Sequence, residues 1–402
     1  MSATEIRASA SLASIFALRM LGLFLILPVF AVHAKGMPGG DNATLIGLAL
    51  GIYGLTQAFG QIPFGVASDK FGRKRIIIIG LIIFALGSFI AAAADSLVWV
   101  IVGRAVQGAG AISAAITAMI ADATREQHRT KAMAMVGGSI GLTFAVSLIG
   151  APLLYEVIGM GGIFALTGIL SVAAIFVVWL VVPAVPMAVH APSADGAAKV
   201  SFADVLKNRE LMRLNFGVFA LHMMQLAMFI VIPSALVKAL DLPLPEHWKI
   251  YLPVMVGSFI LMLPPLFMGE ARGYMKQVFV GAIGLLLLVQ IGFGLFVAHP
   301  TSGWWLVVLL TAFFIAFNIL EASQPSLVSR IAPPAAKGAA LGVYNTLQSL
   351  GLFVGGAAGG WMGQNIGPSS VFVLGAVASL VWLIIAANMK NLPQRSAPAT
   401  PI

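Results

Sequence analysis

The sequence predicts an all-α membrane protein with twelve transmembrane helices in two six-helix halves arranged as parallel repeats. Three observations predict this fold class: an apolar composition, twelve apolar runs of membrane-spanning length, and short motifs that recur about 200 residues apart. Of the 402 residues, 60% are hydrophobic and 9% are charged, and the mean hydropathy is +1.00. Soluble globular proteins carry roughly 25% charged residues, so this chain is expected to lie in a bilayer.

Each of the twelve apolar runs is close to the roughly 20 residues that cross a bilayer as a helix. A helix is expected because its backbone groups pair internally, whereas an open sheet edge would leave them unpaired in lipid. The first run contains Arg19 and is too long for the core of a signal peptide, so a retained helix is expected. The runs cover residues 12–33, 45–67, 76–94, 97–120, 132–154, 161–183, 214–237, 250–269, 277–298, 303–329, 339–362 and 370–389.

A longer connection, rich in proline and mixed charges, follows the sixth run and divides the runs six and six. It predicts an N-terminal half at 1–183, a cytoplasmic linker at 184–213 and a C-terminal half at 214–402 that ends in a short tail. No soluble domain is expected after the last run.

The basic residues predict how the chain is oriented. If the N-terminus is cytoplasmic, 18 of the 23 Lys and Arg residues fall in cytoplasmic segments and three in outer segments, while Arg19 and Arg104 lie inside runs. Because cytoplasmic loops of membrane proteins are enriched in Lys and Arg, both termini are expected in the cytoplasm. The same loops account for the formal net charge of +9, so no nucleic-acid partner is expected.

Two stretches of the chain nearly repeat each other. "FALRM" at 16–20 recurs as "FALHM" at 219–223, which places Arg19 and His222 at equivalent positions. At a similar offset, Asp69 corresponds to Glu270, and both follow the second helix of a half. The matches indicate parallel repeats, and such repeats place a substrate site at their interface near the bilayer midplane.

The loop after the second run carries the most specific motif. It reads "GVASDKFGRKR", residues 65–75, and resembles the G-x-x-x-D-[RK]-x-G-R-[RK] motif of the major facilitator superfamily. "GRAVQGAGA" at 103–111 looks like the second motif of that family, and "GLTFAVSLIGAPLL" at 141–154 is similar to the Gly-Pro motif of its drug–proton antiporter branch, without the second Gly pair. The resemblance covers the whole chain. It implies the major facilitator fold, alternating access and a place in the bacterial inner membrane.

The motifs imply residues that control gating. Gly72 is expected to turn the chain where a side chain would be strained, and Gly65 to let another helix approach. The resemblance places Asp69 against the start of helix 11 in the outward-open state and pairs Arg73 with Asp122. Contacts formed in only one state bias a two-state equilibrium; the alternative is that the basic residues only anchor topology. The other motif residues with an expected role are Arg104, Gly150 and Pro152, although Arg104 could instead reach to the outer surface.

Polar side chains inside the apolar runs are the candidates for a central cavity. Such residues are costly against lipid and are expected to face a cavity or another helix. Several recur at helical spacing on one face, which strengthens this expectation. The alternative for each is hydrogen bonding between helices without a ligand, and Arg19 could also pair with the start of helix 4 or 5. The candidates are Arg19, Tyr53, Gln57, Gln61, Gln107, Gln225, Asn318, Tyr344 and Gln348.

Two titratable residues are candidates for proton coupling. Glu321 is the only acid well inside a run, and a buried carboxyl can exchange a proton near neutral pH. His222 also titrates near physiological pH and is the second candidate. Alternatively, Glu321 forms a static pair with a cation.

The sequence favours a transporter over other classes. It has no G-x-x-x-x-G-K-[ST] motif for an ATP-driven pump, no cysteine and six scattered histidines, so no enzyme activity, metal site or cofactor is expected. The favoured interpretation is a monomeric, proton-coupled exporter of small organic compounds whose partners are its substrate, protons and lipid. The alternative is a proton-coupled symporter for a metabolite, and a membrane sensor is less favoured.

Overall fold

The computed structural model describes residues 1–183, 202–333 and 337–389, and these residues form helices and connecting turns without a strand. Ten helices are long and apolar enough to cross a membrane. One of them, within Glu126–Leu180, counts as two because Gly159 interrupts it with φ +65°. Lys337–Asn365, which is 29 residues long and contains eight glycines, completes twelve spanning helices. The twelve-helix fold class expected from the sequence is confirmed.

The spanning helices are labelled α1 to α12, and a short helix, Phe202–Lys207, precedes α7. Their bounds are Ala3–Phe24 with Leu27–His33 (α1), Ala43–Phe71 (α2), Arg73–Ala92 (α3), Leu97–Ala109 with Ser113–Ala123 (α4), Glu126–Leu180 before and after Gly159 (α5 and α6), Arg209–Leu240 (α7), Trp248–Arg272 (α8), Met275–Ala298 (α9), Gly303–Ile331 (α10), Lys337–Asn365 (α11) and Pro368–Ala387 (α12).

Side-chain caps set where several helices begin. The Ser2 hydroxyl accepts a hydrogen bond from the Glu5 amide at 3.2 Å, and the Glu5 carboxylate accepts one from the Ser2 amide at 2.6 Å, which is a capping box. The side-chain oxygens of Asn42 and Asn208 cap α2 and α7 by accepting from backbone amides of the first turn, without a reciprocal bond. Since α7 begins at Arg209, the last residues of the expected linker 184–213 belong to this helix. Residues 184–201 of that linker lie outside the described residues, and its boundaries stay a prediction.

Two helices contain breaks that the sequence analysis did not predict. The first segment of α1 ends at Phe24, and the helix resumes at Leu27. Pro28 explains this break, because its ring clashes with the carbonyl group four residues earlier, that of Phe24. α4 is interrupted at Gly110, where a Cβ atom would overlap the carbonyl oxygen of Gly80 on α3. The break in α4 therefore accompanies a close approach of two backbones.

The two ends of the bundle differ in how the halves meet. The "basic end" is the end at which α2, α4, α8 and α10 finish, and the "far end" is the opposite one. At the far end, Cβ atoms built at Gly47 and Gly54 of α2 would overlap backbone oxygens of Gly356 and Ser349 on α11. Small residues allow such approaches between membrane helices, so α2 and α11 close the far end.

Hydrogen bonds also join the halves at the far end. The Gln364 side-chain oxygen accepts a hydrogen bond from the Ala43 amide at 2.7 Å, and Lys35 donates to the Ser234 hydroxyl at 2.8 Å. Towards the basic end, Cβ atoms at Gly338 and Gly342 of α11 would have no heavy atom of the described residues within 4 Å. The close approaches between α2 and α11 therefore lie at the far end, which is closed, and the looser packing of α11 towards the other end is the arrangement expected of a bundle open at the basic end.

A layer of phenylalanines joins the halves near mid-depth. The Phe144 ring on α5 lies 5.9 and 5.8 Å from the rings of Phe314 and Phe317 on α10, and 5.0 Å from Phe24 on α1. These rings come from both halves.

Candidate functional site

The loop between α2 and α3 holds an ionic network centred on Arg73. Arg73 Nε donates to Asp122 Oδ2 at the end of α4 over 3.0 Å, and its Nη1 donates to the Ser68 hydroxyl over 2.7 Å. It also pairs with Asp69, one turn earlier. The contact between Arg73 and Asp122 implied by the sequence motif is thus present while the basic end is open. Its role in gating stays a prediction.

The other residues of this loop have different environments. Gly72 has φ +98°, a conformation that favours glycine, so the expected turn is present. A Cβ atom at Gly65 would lie 3.5 Å from the Cβ atom of Ala114, an ordinary contact, so this arrangement does not require a glycine there. The Asp69 side chain is 66% exposed. The start of α11, which was expected to receive Asp69 in the outward-open state, adjoins residues 334–336 outside the described residues.

The second half has an ion pair at the same end of the bundle, between the ends of α8 and α10. Glu270 at the end of α8 accepts a hydrogen bond from Arg330 at the end of α10 over 2.9 Å. In the first half, the residue at the end of α4 is the acid Asp122, which pairs with Arg73. The end of the fourth helix therefore carries an acid in the first half and a base in the second, while the equivalent positions Asp69 and Glu270 are both acidic.

Two buried arginines lie against one tyrosine in the first half. We call Arg19, Tyr53 and Arg104 the "arginine cluster". The guanidinium carbons of Arg104 and Arg19 lie 4.7 and 5.7 Å from the centre of the Tyr53 ring. Arg104 is 0% exposed and Arg19 2% exposed. The alternative that Arg104 reaches the outer surface is therefore wrong.

Each arginine has one hydrogen bond to a neutral side chain. Arg19 Nη1 donates to the Ser113 hydroxyl at 2.8 Å, where the second segment of α4 begins. Arg104 Nη1 donates to Gln107 Oε1 at 2.6 Å, and Gln107 Nε2 donates to the Ser88 hydroxyl on α3 at 2.7 Å. The Nε and Nη2 atoms of both arginines are buried and have no hydrogen-bond partner among the described residues. Gln107 thus bonds to Arg104 on its own helix, α4, and to Ser88 on α3.

Gln57 and Gln61 continue the polar face of α2 from Tyr53 towards the basic end. Both are buried, and Gln57 Oε1, Gln61 Nε2 and the Tyr53 hydroxyl have no hydrogen-bond partner. Unpaired polar groups in a bilayer interior are costly. This face of α2 therefore has unused capacity for a ligand or water.

A histidine, a glutamate and a glutamine meet in the second half. We call His222, Glu321 and Gln348 the "histidine cluster". His222 Nδ1 lies 3.0 Å from the Val218 carbonyl oxygen, which can only accept, so Nδ1 carries the proton. Nε2 then accepts from the Gln348 amide on α11 over 2.7 Å. The contacts fit a neutral imidazole.

Glu321 stands beside this imidazole on α10. Its Oε2 lies 3.6 Å from His222 Nε2, and the side chain is 28% exposed, whereas that of His222 is 5% exposed. Glu321 Oε2 has no hydrogen-bond partner. The Phe317 ring lies 5.9 Å from the His222 ring. Glu321 therefore links a buried imidazole to a partly accessible position.

The other polar candidates are scattered around this cluster. Asn318 donates to the Ser258 hydroxyl on α8 over 3.2 Å, so it joins two helices. Gln225 Oε1 and the Tyr344 hydroxyl are buried without a partner, and so are both polar atoms of Gln324. Asn318 and Tyr344 are both candidates from the sequence, but of the two only Asn318 has a hydrogen-bond partner on another helix among the described residues.

The Gly-Pro motif lies inside α5. Pro152 is buried in the helix interior, and the position of a Cβ atom at Gly150 has no heavy atom within 4 Å. The role of both residues stays a prediction.

Glu5 and Arg125 form a contact between the N-terminus and the α4–α5 loop that was not predicted from the sequence. Glu5 Oε1 accepts from the Arg125 amide and Nε, both over 3.0 Å, and Oε2 accepts from Nη2 over 3.1 Å. These bonds raise the pKa of the Arg125 guanidinium above its ordinary value. The Ser2–Glu5 spacing is a capping signal in the sequence, but no sequence signal pairs Glu5 with Arg125 in the α4–α5 loop. Among the described residues, no group of three or more His, Asp or Glu could hold a metal ion.

Comparisons with known proteins are consistent with this geometry. A family model described as "Major Facilitator Superfamily" matches residues 10–356 and 276–401. The "Inner membrane transport protein YajR" of Escherichia coli is 43% identical over 394 residues, which cover 98% of this chain and 85% of that protein. The "Multidrug resistance protein MdtH" of Yersinia enterocolitica is 25% identical over 351 residues, or 85% and 83% of the two chains.

Solved structures share the fold at lower identity. A bacterial homologue of the human lysosomal transporter Spinster, in an inward-facing and occupied conformation, superposes with a TM-score of 0.70 at 15% identity. The superposition covers 96% of each chain. The nucleoside transporter NupG gives a TM-score of 0.69 at 16% identity and covers 96% of this chain and 99% of its own.

Proposed function

Since the chain belongs to the major facilitator superfamily, we propose that it is a proton-coupled secondary transporter that exports small organic compounds by alternating access. The protein is a multi-pass membrane protein and not an enzyme, as its transporter relatives indicate. The proton coupling, the export direction and a cytoplasmic basic end belong to the proposal. The excess of Lys and Arg in the loops at that end supports the orientation.

The observation that carries the proposal is the histidine cluster. Protonation of His222 Nε2 would turn this atom from an acceptor into a donor. It would then lose the bond from the Gln348 amide and gain Glu321, 3.6 Å away, as an ionic partner. Protonation of His222 would therefore break the contact between α7 and α11 and form one between α7 and α10.

This change of partner connects the proton to the gate. α11 carries Gln348, and its next residue, Ser349, lies against Gly54 of α2 in the closed far end. Releasing α11 from His222 would favour separation of α2 and α11. Alternating access requires a helix with two stable packing arrangements, and α11 is the helix proposed to have them.

Export, rather than uptake, is favoured by resemblance. The "GLTFAVSLIGAPLL" stretch with Gly150 and Pro152 is similar to the motif of drug–proton antiporters. The relative from Yersinia enterocolitica is named as a multidrug resistance protein. Both features support antiport over symport.

Transport in inverted membrane vesicles tests this function. A panel of labelled organic compounds is offered to vesicles with the full chain and to vesicles without it, with an imposed pH gradient of either sign. Antiport predicts accumulation that requires an acidic interior and disappears with a protonophore. Accumulation that requires an acidic exterior would indicate symport instead. Accumulation indifferent to either gradient would contradict proton coupling.

A further inference from the structure

We propose that the arginine cluster binds the negatively charged group of the transported compound, so that the substrate is an organic anion with a carboxylate, sulfonate or phosphate ester. This inference rests on the proposed function for the act of transport, and adds the charge of what is carried. It assigns the binding of that charge to Arg19, Arg104 and Tyr53.

The cluster has two positive charges and no negative one. Neither guanidinium is within 4 Å of a carboxylate among the described residues, although four other arginines there form such pairs. The guanidinium carbons of Arg19 and Arg104 lie 5.7 and 4.7 Å from the centre of the same Tyr53 ring. The two carbons are therefore no more than about 10 Å apart. Arginine keeps its charge under physiological conditions. The result is a buried site with an excess of positive charge.

This charge has too little compensation inside the protein. Taking a cation out of water is costly unless it is paired and hydrogen-bonded. The face of Tyr53 attracts both guanidiniums, and Ser113 and Gln107 each accept one hydrogen bond. Four guanidinium nitrogens, Nε and Nη2 of Arg19 and Arg104, remain buried and unpaired. An anion would balance the two positive charges and accept hydrogen bonds from these four nitrogens.

The geometry of the donors suits an oxyanion. The Nε and Nη2 atoms of one guanidinium form the edge that binds a carboxylate or phosphate through two parallel hydrogen bonds. Both arginines leave this edge unpaired, and the Tyr53 hydroxyl is a further unpaired donor. A cationic substrate would be repelled by the same groups.

The position of the cluster fits a transport site. α1, α2 and α4 supply its residues, and Gly54, next to Tyr53, lies against Ser349 of α11. Gln348, the preceding residue of α11, belongs to the histidine cluster. An anion at the arginines would therefore lie close to the contact that closes the far end. Gln57 and Gln61 extend a polar face from it towards the open basic end.

Thermal unfolding of the purified full-length protein tests the proposal without a gradient. The probes are three anions, each with a neutral counterpart of similar shape: benzoate and benzamide, succinate and succinamide, benzenesulfonate and benzenesulfonamide. A fourth anion, glycerol 3-phosphate, is compared with glycerol, which lacks the phosphate. Ligands that bind only the folded state raise its stability. We expect at least one anion to raise Tm by about 2 °C more than its counterpart.

Variants locate the effect. The shift should disappear in Arg19→Gln and Arg104→Gln and persist in Arg272→Gln, which removes an equal charge from an exposed position at the basic end. If either glutamine variant does not fold, the corresponding lysine variant is used, which keeps the charge but loses the two-pronged edge and should show a smaller shift.

The outcomes separate this inference from the proposed function. It is overturned if no anion exceeds its neutral counterpart in the unmodified protein, or if the shift survives in the variants at both arginines. Accumulation of neutral or cationic compounds alone in the vesicle experiment would overturn the anionic substrate and leave proton coupling intact. Anion binding without any gradient-dependent flux would overturn proton coupling and leave the anion site intact.

Discussion

The two halves share a helix order but place different chemistry at equivalent positions. In "FALRM" of α1 and "FALHM" of α7, the cation is Arg19 in one half and His222 in the other. Arg19 lies with Arg104 and has no acid partner in the part of the chain that the structure describes, whereas His222 lies beside Glu321 and Gln348. Arginine holds a fixed charge, while imidazole and carboxyl groups can exchange protons. The difference suggests that the first half recognises charge and the second half carries the proton.

The largest effect is expected from Glu321→Gln, which removes the carboxyl from the histidine cluster and keeps its shape. Because no ionic partner would remain for a protonated His222, gradient-driven accumulation should fall by about 100-fold, as for loss of a positioned proton-transfer group. Substrate binding, measured by thermal shift, should persist. Flux in proteoliposomes with and without an imposed pH gradient measures the effect.

Glu246→Gln is the matched control for this variant. Glu246 is an exposed acid of the same half, paired with Lys249 at 2.5 Å, and such exposed pairs contribute only about 0–1 kcal/mol. It should transport normally. If Glu321→Gln still concentrates substrate under a gradient, Glu321 is structural and His222 becomes the residue to vary.

The second-largest loss of transport is expected from a change in the loop after the second helix of the first half, and a smaller loss from the equivalent change in the second half. Asp69→Asn should leave folding and insertion intact, because the side chain is exposed at 66%, but should reduce transport by roughly tenfold. The expected cause is loss of a carboxylate that meets the positive N-terminal end of α11 when the basic end closes. Glu270→Gln should have a smaller effect, because Glu270 pairs with Arg330 within its own half.

Spin-label distances across the basic end test this comparison. Asp69→Asn should shift the distribution towards the longer, open distance, and Asp95→Asn, at another exposed acid of the first half, should not. Equal distances and equal flux in Asp69→Asn and the unmodified protein would show that the loop does not control the gate.

The smallest effect concerns the pair Arg73 and Asp122. Their hydrogen bond of 3.0 Å is partly buried, so a double-mutant cycle of Arg73→Gln and Asp122→Asn on transport should show a coupling of about 1 kcal/mol or more. Additive effects of the two changes would mean that the contact contributes nothing to cycling.

The twelve helices were predictable because lipid leaves an apolar run of about 20 residues no other state. The pairing of Arg73 with Asp122 was predictable from the family resemblance, which rests on the specific motif at 65–75 that contains Arg73. The break in α1 could have been inferred from Pro28, whereas the break in α4 depends on Gly80 of another helix.

The bond between His222 and Gln348 was beyond sequence reasoning. It depends on how α7 and α11 are rotated, and close packing decides this: Cβ atoms at Gly351 and Gly355 would overlap the carbonyl oxygens of Phe219 and Met223. The orphaned donors of Arg19 and Arg104 were hidden for the same reason. Spacing shows which residues share a helix face and not which helix that face meets.

Simultaneous measurement of proton and substrate movement tests the central claim most directly. A compound identified by the vesicle panel is loaded into proteoliposomes, and its flux is recorded together with the internal pH. The account predicts a fixed ratio of protons to substrate in the unmodified protein, and substrate exchange without proton movement in Glu321→Gln. Substrate flux in the unmodified protein without accompanying proton movement would contradict it.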